Sequence, residues 1–117
     1  MSLTIKNSDI WVAQRYVDFR CSIDGLCRYI QEYYGTNPQR GFYIFYNKAR
    51  NRLKMLVWHH NGFMLLYKRI ERGRFPYRFS SQMGKQLITE QQLKGLLIGL
   101  DWQMISNWEE THFDNYY

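Results

Sequence analysis

Two cysteines in 117 residues, Cys21 and Cys27, exclude a disulfide framework, and their spacing suits no zinc half-site. Both read as packing thiols. Proline is equally scarce, at Pro38 and Pro76, and no internal repeat, low-complexity tract or linker interrupts the chain. No apolar run approaches the length of a membrane span, and no charged leader precedes an apolar stretch, which together predict a cytoplasmic protein with no membrane partner. Histidine is limited to His59, His60 and His112. The first two are neighbours on a predicted strand end and diverge to opposite faces, so no metal-ligand spacing exists. There is no GxSxG elbow, no phosphate-cradling glycine loop and no Cys and His pair with an orienting partner. The sequence therefore predicts a protein that is not an enzyme and holds no metal and no cofactor.

The shortage that says most is of acid in the middle of the chain. Residues 40–78 hold ten Lys or Arg against Glu71 alone, in a chain whose overall charge is +6, so the flanks are mildly acidic. The stretch YKRIERGRFPYR, residues 67–78, concentrates five of those cations among two Tyr, a Phe and a Pro. At 45% hydrophobic and 18% aromatic the chain is too apolar to be disordered, and its length suits one domain, residues 1–117.

The pattern along the chain predicts an α+β fold. Residues 10–17 (IWVAQRYV) suit a short strand. Ser22 is placed to cap a helix over residues 22–34, with Asp24 in its first turn, Ile23, Leu26, Cys27 and Ile30 at helical spacing, Gly25 a weak point and Gly35 at its end. From Phe42 the period changes to two: GFYIFYN, RLKMLVWH and FMLLYKR read as an antiparallel meander, joined by KARN and by the tight turn His60-Asn61-Gly62. Residues 79–86 (FSSQMGKQ) look like loop. Thr89 opens a second helix, to Leu100, with a capping box completed by Gln92 and a stripe of Leu93, Leu96, Leu97 and Leu100. The tail of residues 103–117 is acidic and aromatic. The expected architecture is a sheet of three to four strands with both helices on one face, and a basic working surface on the other. In the second strand that surface would carry Arg52, Lys54, Leu56 and Trp58, while Leu53, Met55 and Val57 face the core.

An ordinary soluble surface intersperses acids among its bases, and here the bases go uncompensated while rings are interleaved with them. Guanidinium groups grip phosphate in bidentate fashion, and rings stack on bases. Nucleic-acid binding is predicted, through Arg50, Arg52, Lys54, Lys68, Arg69, Arg72, Arg74 and Arg78, with Trp58, Phe75 and Tyr77 supplying stacking or apolar contact. The same surface would also suit an acidic protein partner. Asp18, Arg20, Asp24 and Asp101 are assigned to structure, as caps or buried ion pairs. The catalytic alternative, in which Asp18, Asp24 and Asp101 meet as a two-metal cluster, is not required by their spacing.

Several motifs, in order, carry a family resemblance: Asp18-Phe19-Arg20 and Ile23-Asp24-Gly25-Leu26; Arg52-Leu53-Lys54 with Leu56 and Trp58; Gly62-Phe63; Tyr67-Lys68-Arg69 with Glu71, Gly73-Arg74-Phe75 and Pro76; and Gly99-Leu100-Asp101-Trp102. Over about residues 10–102 the chain resembles the TnpB accessory proteins, products of the second open reading frame of IS66-type bacterial insertion sequences. Phe19 stands where that family usually has Met, and Met64 where it usually has an aromatic. The resemblance implies a non-catalytic role in transposition beside a separate transposase. Its expected partners are DNA at the element ends and transposase subunits; the sequence leaves open whether the chain also forms a homodimer. An adaptor that meets the transposase without touching DNA is the alternative.

Overall fold

The structure, a computed structural model, describes residues 9–105. It opens with strand β1 (Ile10–Ala13) and helix α1 (Ile23–Tyr29), which runs on into a π-helical turn (Ile30–Tyr34). Strands β2 (Phe42–Tyr46), β3 (Arg52–His59) and β4 (Gly62–Arg69) follow, then β5 (Lys85–Ile88), helix α2 (Glu90–Leu97) and a 3-10 turn (Trp102–Met104).

All five strands form one sheet in the order β4-β3-β2-β1-β5. The meander β2-β3-β4 is antiparallel as expected, but β1 lies parallel to β2, joined to it across α1, and β5 closes the far edge antiparallel to β1. The sheet is thus mixed and five-stranded rather than an antiparallel meander of three to four. The fold class, α+β, stands.

The helices do not share a face. Ile10, Val12, Phe42, Ile44, Tyr46, Leu53, Met55, Val57 and Ile88 pack with Leu93 and Leu96 of α2, whereas Ala13, Tyr43, Phe45 and Leu56 pack with Leu26 and Ile30 on the other side. β2 explains why: Phe42 to Tyr46 offers no charged side chain to either face, and all five residues are buried. A strand apolar on both sides has to be covered on both sides, so no open sheet face is left for a working surface.

Local chemistry sets the connections. Thr89 accepts from the Gln92 amide at 3.1 Å, while the Gln92 side chain accepts from the Thr89 amide at 2.9 Å, completing the capping box. Gly35 ends the π-helical turn at φ 63, a left-handed conformation that glycine adopts without a Cβ clash. Ser22 occupies the α1 N-cap position, but its side chain makes no capping bond. The β3-β4 turn sits one residue earlier than Asn-Gly suggests. His59 pairs with Gly62, the loop residues are His60 and Asn61, and the positive φ falls on His60. In the β2-β3 hairpin the Asn47 carboxamide oxygen accepts from the amides of both Asn51 and Arg52 at 3.0 Å, and Arg50 takes a left-handed φ of 59.

Candidate nucleic-acid interface

Residues 70–79, the heart of the basic aromatic stretch, form a strap across the sheet face that also carries α2. Alternation governs it. Phe75 and Tyr77 are 1% and 4% exposed, within the core, and Phe79 packs beside them, while Arg74 and Arg78 point out. The Tyr77 hydroxyl donates to the Ala13 carbonyl at 2.9 Å, and its ring stacks between Tyr46, at 4.8 Å, and Trp102, at 5.5 Å. Burying a ring of this size stabilises by roughly 2–3 kcal/mol, so these side chains are structural anchors. Phe75 and Tyr77, expected to contact nucleic acid, are enclosed and offer no ring face for stacking.

The β2-β3 hairpin holds the strap from the other side. The Arg50 carbonyl accepts from the Phe75 amide at 2.6 Å, its Nη1 donates to the Tyr77 carbonyl at 3.0 Å, and the Asn51 carbonyl accepts from the Ile70 amide at 2.9 Å. Arg50 is therefore a clamp as well as a cation. With Pro76, Tyr77, Arg78, Asp101, Gln103 and Met104 it lines an open depression of about 560 Å³.

Most of the predicted cations do gather. Arg52 pairs in register with Arg69 where β3 begins and β4 ends, and the hairpin with Arg50 and the strap with Arg72, Arg74 and Arg78 adjoin that same end of the sheet. Lys48, outside the predicted set, stands exposed in this hairpin; its place in the basic segment was the signal for it. Among the described residues Arg52, Arg72, Arg74 and Arg78 form no ion pair with an acid, and within this cluster only Arg69 does, with Glu71 at 3.1 Å.

Three predicted residues stand apart. Lys54 is 8% exposed; its ammonium donates to the carbonyls of Phe19 and Cys21, each at 2.7 Å, and burial lowers its pKa. It fastens the segment entering α1 and is closed to phosphate. Lys68 points to the α2 side and donates to the Leu97 carbonyl, a cation at a helix C-terminus where the dipole favours one. Trp58 is half-buried against Phe63, six residues from Arg52 along β3 and so roughly 20 Å from the cations.

Asp18 and Arg20 do pair, through Oδ2 and Nη2 at 2.7 Å, but on the surface rather than buried. The guanidinium hydrogen bonds hold the Asp18 carboxyl down at about 2. Asp24 lies exposed in the first turn of α1, and Asp101 precedes the 3-10 turn without a side-chain capping bond. Among the described residues no three Asp, Glu, His or Cys side chains cluster to hold a metal, so Asp18, Asp24 and Asp101 do not meet. Cys21 and Cys27 are both free and half-buried, and burial raises the Cys27 thiol pKa. No helix among the described residues is long and apolar enough to cross a membrane. His112 and the tail beyond Ile105 lie outside the described residues.

Residues 8–107 match the family described as IS66 Orf2 like protein. The chain belongs to that family. Two curated relatives, both from Sinorhizobium fredii, carry the name uncharacterized protein. The first, y4hO, is 33% identical over 99 residues, covering 84% of this chain and 85% of its own. The second, y4jC, is 29% identical over 97 residues, 82% of each. No solved structure matches. In this member of the IS66 Orf2-like family the motif Gly99-Leu100-Asp101-Trp102 has a packing reason, since Trp102 is fully buried on Tyr77 and donates its indole N–H to the Tyr46 hydroxyl at 3.1 Å. Gly73-Arg74-Phe75-Pro76 is likewise the strap itself.

Proposed function

We propose that this IS66 Orf2-like protein is a transposition accessory that acts beside a separate transposase, contributes no catalytic chemistry, and holds DNA at the element ends through the cations at the strap end of the sheet. The observation that carries this reading is the outward, unpaired set Arg52, Arg72, Arg74 and Arg78, the first on β3 and the other three on a strap anchored by Phe75 and Tyr77. A cation on a pre-ordered segment loses little further conformational freedom when it meets phosphate. The contact is to the sugar-phosphate backbone; no ring in the set is free to stack, so sequence preference would come from DNA shape or from the transposase.

The test is binding to a labelled duplex bearing the element's terminal repeat, beside a scrambled duplex, over a series of salt concentrations. Each phosphate contact contributes about −0.9 to the slope of log affinity against log salt. Arg72→Ala with Arg74→Ala is expected to flatten the slope by about two contacts while leaving the melting curve in place. A slope near zero for the unaltered protein would remove the proposal.

A second reading rests on the exposed apolar side chains Ile98, Leu100 and Met104 beside this basic end. A cationic rim next to apolar anchors also suits an acidic face of the transposase, making the protein an adaptor. Capture of the purified transposase without any DNA shift at low salt is the result that favours it.

A further inference from the structure

β4 is an eight-residue strand with nothing paired to its outer edge among the described residues. Long edge strands are ordinarily blunted by proline, bulges, brevity or charge. The opposite edge, β5, is only four residues long and starts at Lys85. β4 has neither proline nor bulge, and its charges, Lys68 and Arg69, stand at one end only, leaving Gly62 to Tyr67 uncharged.

The register fixes which groups are free. Where a two-residue loop closes an antiparallel pair, the flanking residues His59 and Gly62 exchange backbone hydrogen bonds, and the bonding then alternates along the strands. The amides and carbonyls of Phe63, Leu65 and Tyr67 therefore face the open edge.

We infer that β4 pairs with β4 of a second copy, antiparallel about a twofold axis at Leu65, to make one continuous ten-stranded sheet. The strand is self-complementary about that residue. Reversed on itself, it sets Phe63 opposite Tyr67 on the α1 side and Met64 opposite Leu66 on the α2 side, each pair apolar or aromatic. It also sets Lys68 opposite Gly62, so the charged end of each copy meets the uncharged end of the other. Parallel pairing would place Lys68 and Arg69 on their own like charges. Phe63, Leu65 and Tyr67 pair only among themselves in this register, so each of their outward amides on one copy finds a carbonyl on the other. Tyr67, 54% exposed at the edge, would be covered by the partner's Phe63. The pairing is isologous and closes on two copies.

Two experiments decide it. Sedimentation of the full chain is expected to give twice the 14.4 kDa chain mass, and Tyr67→Lys to shift it to monomer with an unchanged circular dichroism spectrum. In a background with Cys21→Ser and Cys27→Ser, Leu65→Cys is expected to cross-link on mild oxidation. Its two copies would stand about 5.5 Å apart, within disulfide reach. Lys68→Cys, roughly 20 Å from its own copy in this register, is not expected to cross-link. A monomeric wild-type chain at its highest soluble concentration overturns the inference. So does a Tyr67→Lys protein that remains dimeric, or cross-linking at position 68 equal to that at position 65.

Discussion

Tyr77 and Trp102 lie stacked, ring centroids 5.5 Å apart and planes inclined by 20°. Neither sits in a strand or an α-helix, yet together they join the strap to the turn after α2. Tyr46 extends the stack from β2 and receives the Trp102 indole hydrogen bond. The outward arginines owe their fixed positions to this inward set of rings.

Tyr77→Phe keeps the ring and removes the hydroxyl that donates to the Ala13 carbonyl. Losing that buried hydrogen bond is expected to cost about 1 kcal/mol in urea unfolding. Because Tyr77 is enclosed, the salt slope of DNA binding is expected to stay unchanged; a flattened slope without lost stability would return Tyr77 to the interface.

Alkaline pH offers a separate test. Burial raises the phenol pKa of Tyr29, Tyr34, Tyr43 and Tyr46, and lifts that of Tyr77 to about 12 from an ordinary 10.0. A folded pKa above the unfolded one gives stability that is complete below pH 10 and lost as pH rises toward the folded value. Cooperative loss of structure is expected above about pH 10, with the tyrosinate absorbance of the buried phenols appearing in step with unfolding. Ionisation of all ten tyrosines with the fold intact would contradict the buried stack.

Lys54→Met removes the ammonium that satisfies the Phe19 and Cys21 carbonyls. The expected loss is about 1–3 kcal/mol of stability, read by thermal melting, with no change in the salt slope. A DNA defect at full stability would mean that Lys54 reaches phosphate.

Thr89→Ala breaks the capping box at the start of α2 and is expected to cost about 1 kcal/mol. Gln92 also donates to the Ile105 carbonyl at 2.8 Å, so Gln92→Ala is expected to cost at least as much in the same melt.

What could be read from the sequence was local. The meander followed from period-two alternation, and the capping box and the Gly35 terminus followed from side chains that act within a few residues. β5 was missed because Lys85–Ile88 looks like loop by itself and becomes a strand only by pairing with β1, some seventy positions earlier. The misassigned helix faces had a visible sign: FYIFY has nothing charged to show either side, which is how a doubly covered strand reads. The strap had one too, since Phe75, Tyr77 and Phe79 recur at every second position with Arg74 and Arg78 between them. Rings among cations suggested stacking on bases, but their spacing belongs to a segment laid flat on a core. The gathering of Arg52, Arg72, Arg74 and Arg78 at one end depended on topology, which no short motif encodes.

β1 takes β2 on one side and β5 on the other, and Trp102 completes the ring stack that begins at Tyr46. During synthesis on the ribosome, a nascent chain that has emerged only as far as Met83 would have its first strand open on one side and its stack short of one ring. The meander can assemble early, but the sheet and the ring stack stay incomplete until β5 and Trp102 have cleared the exit tunnel.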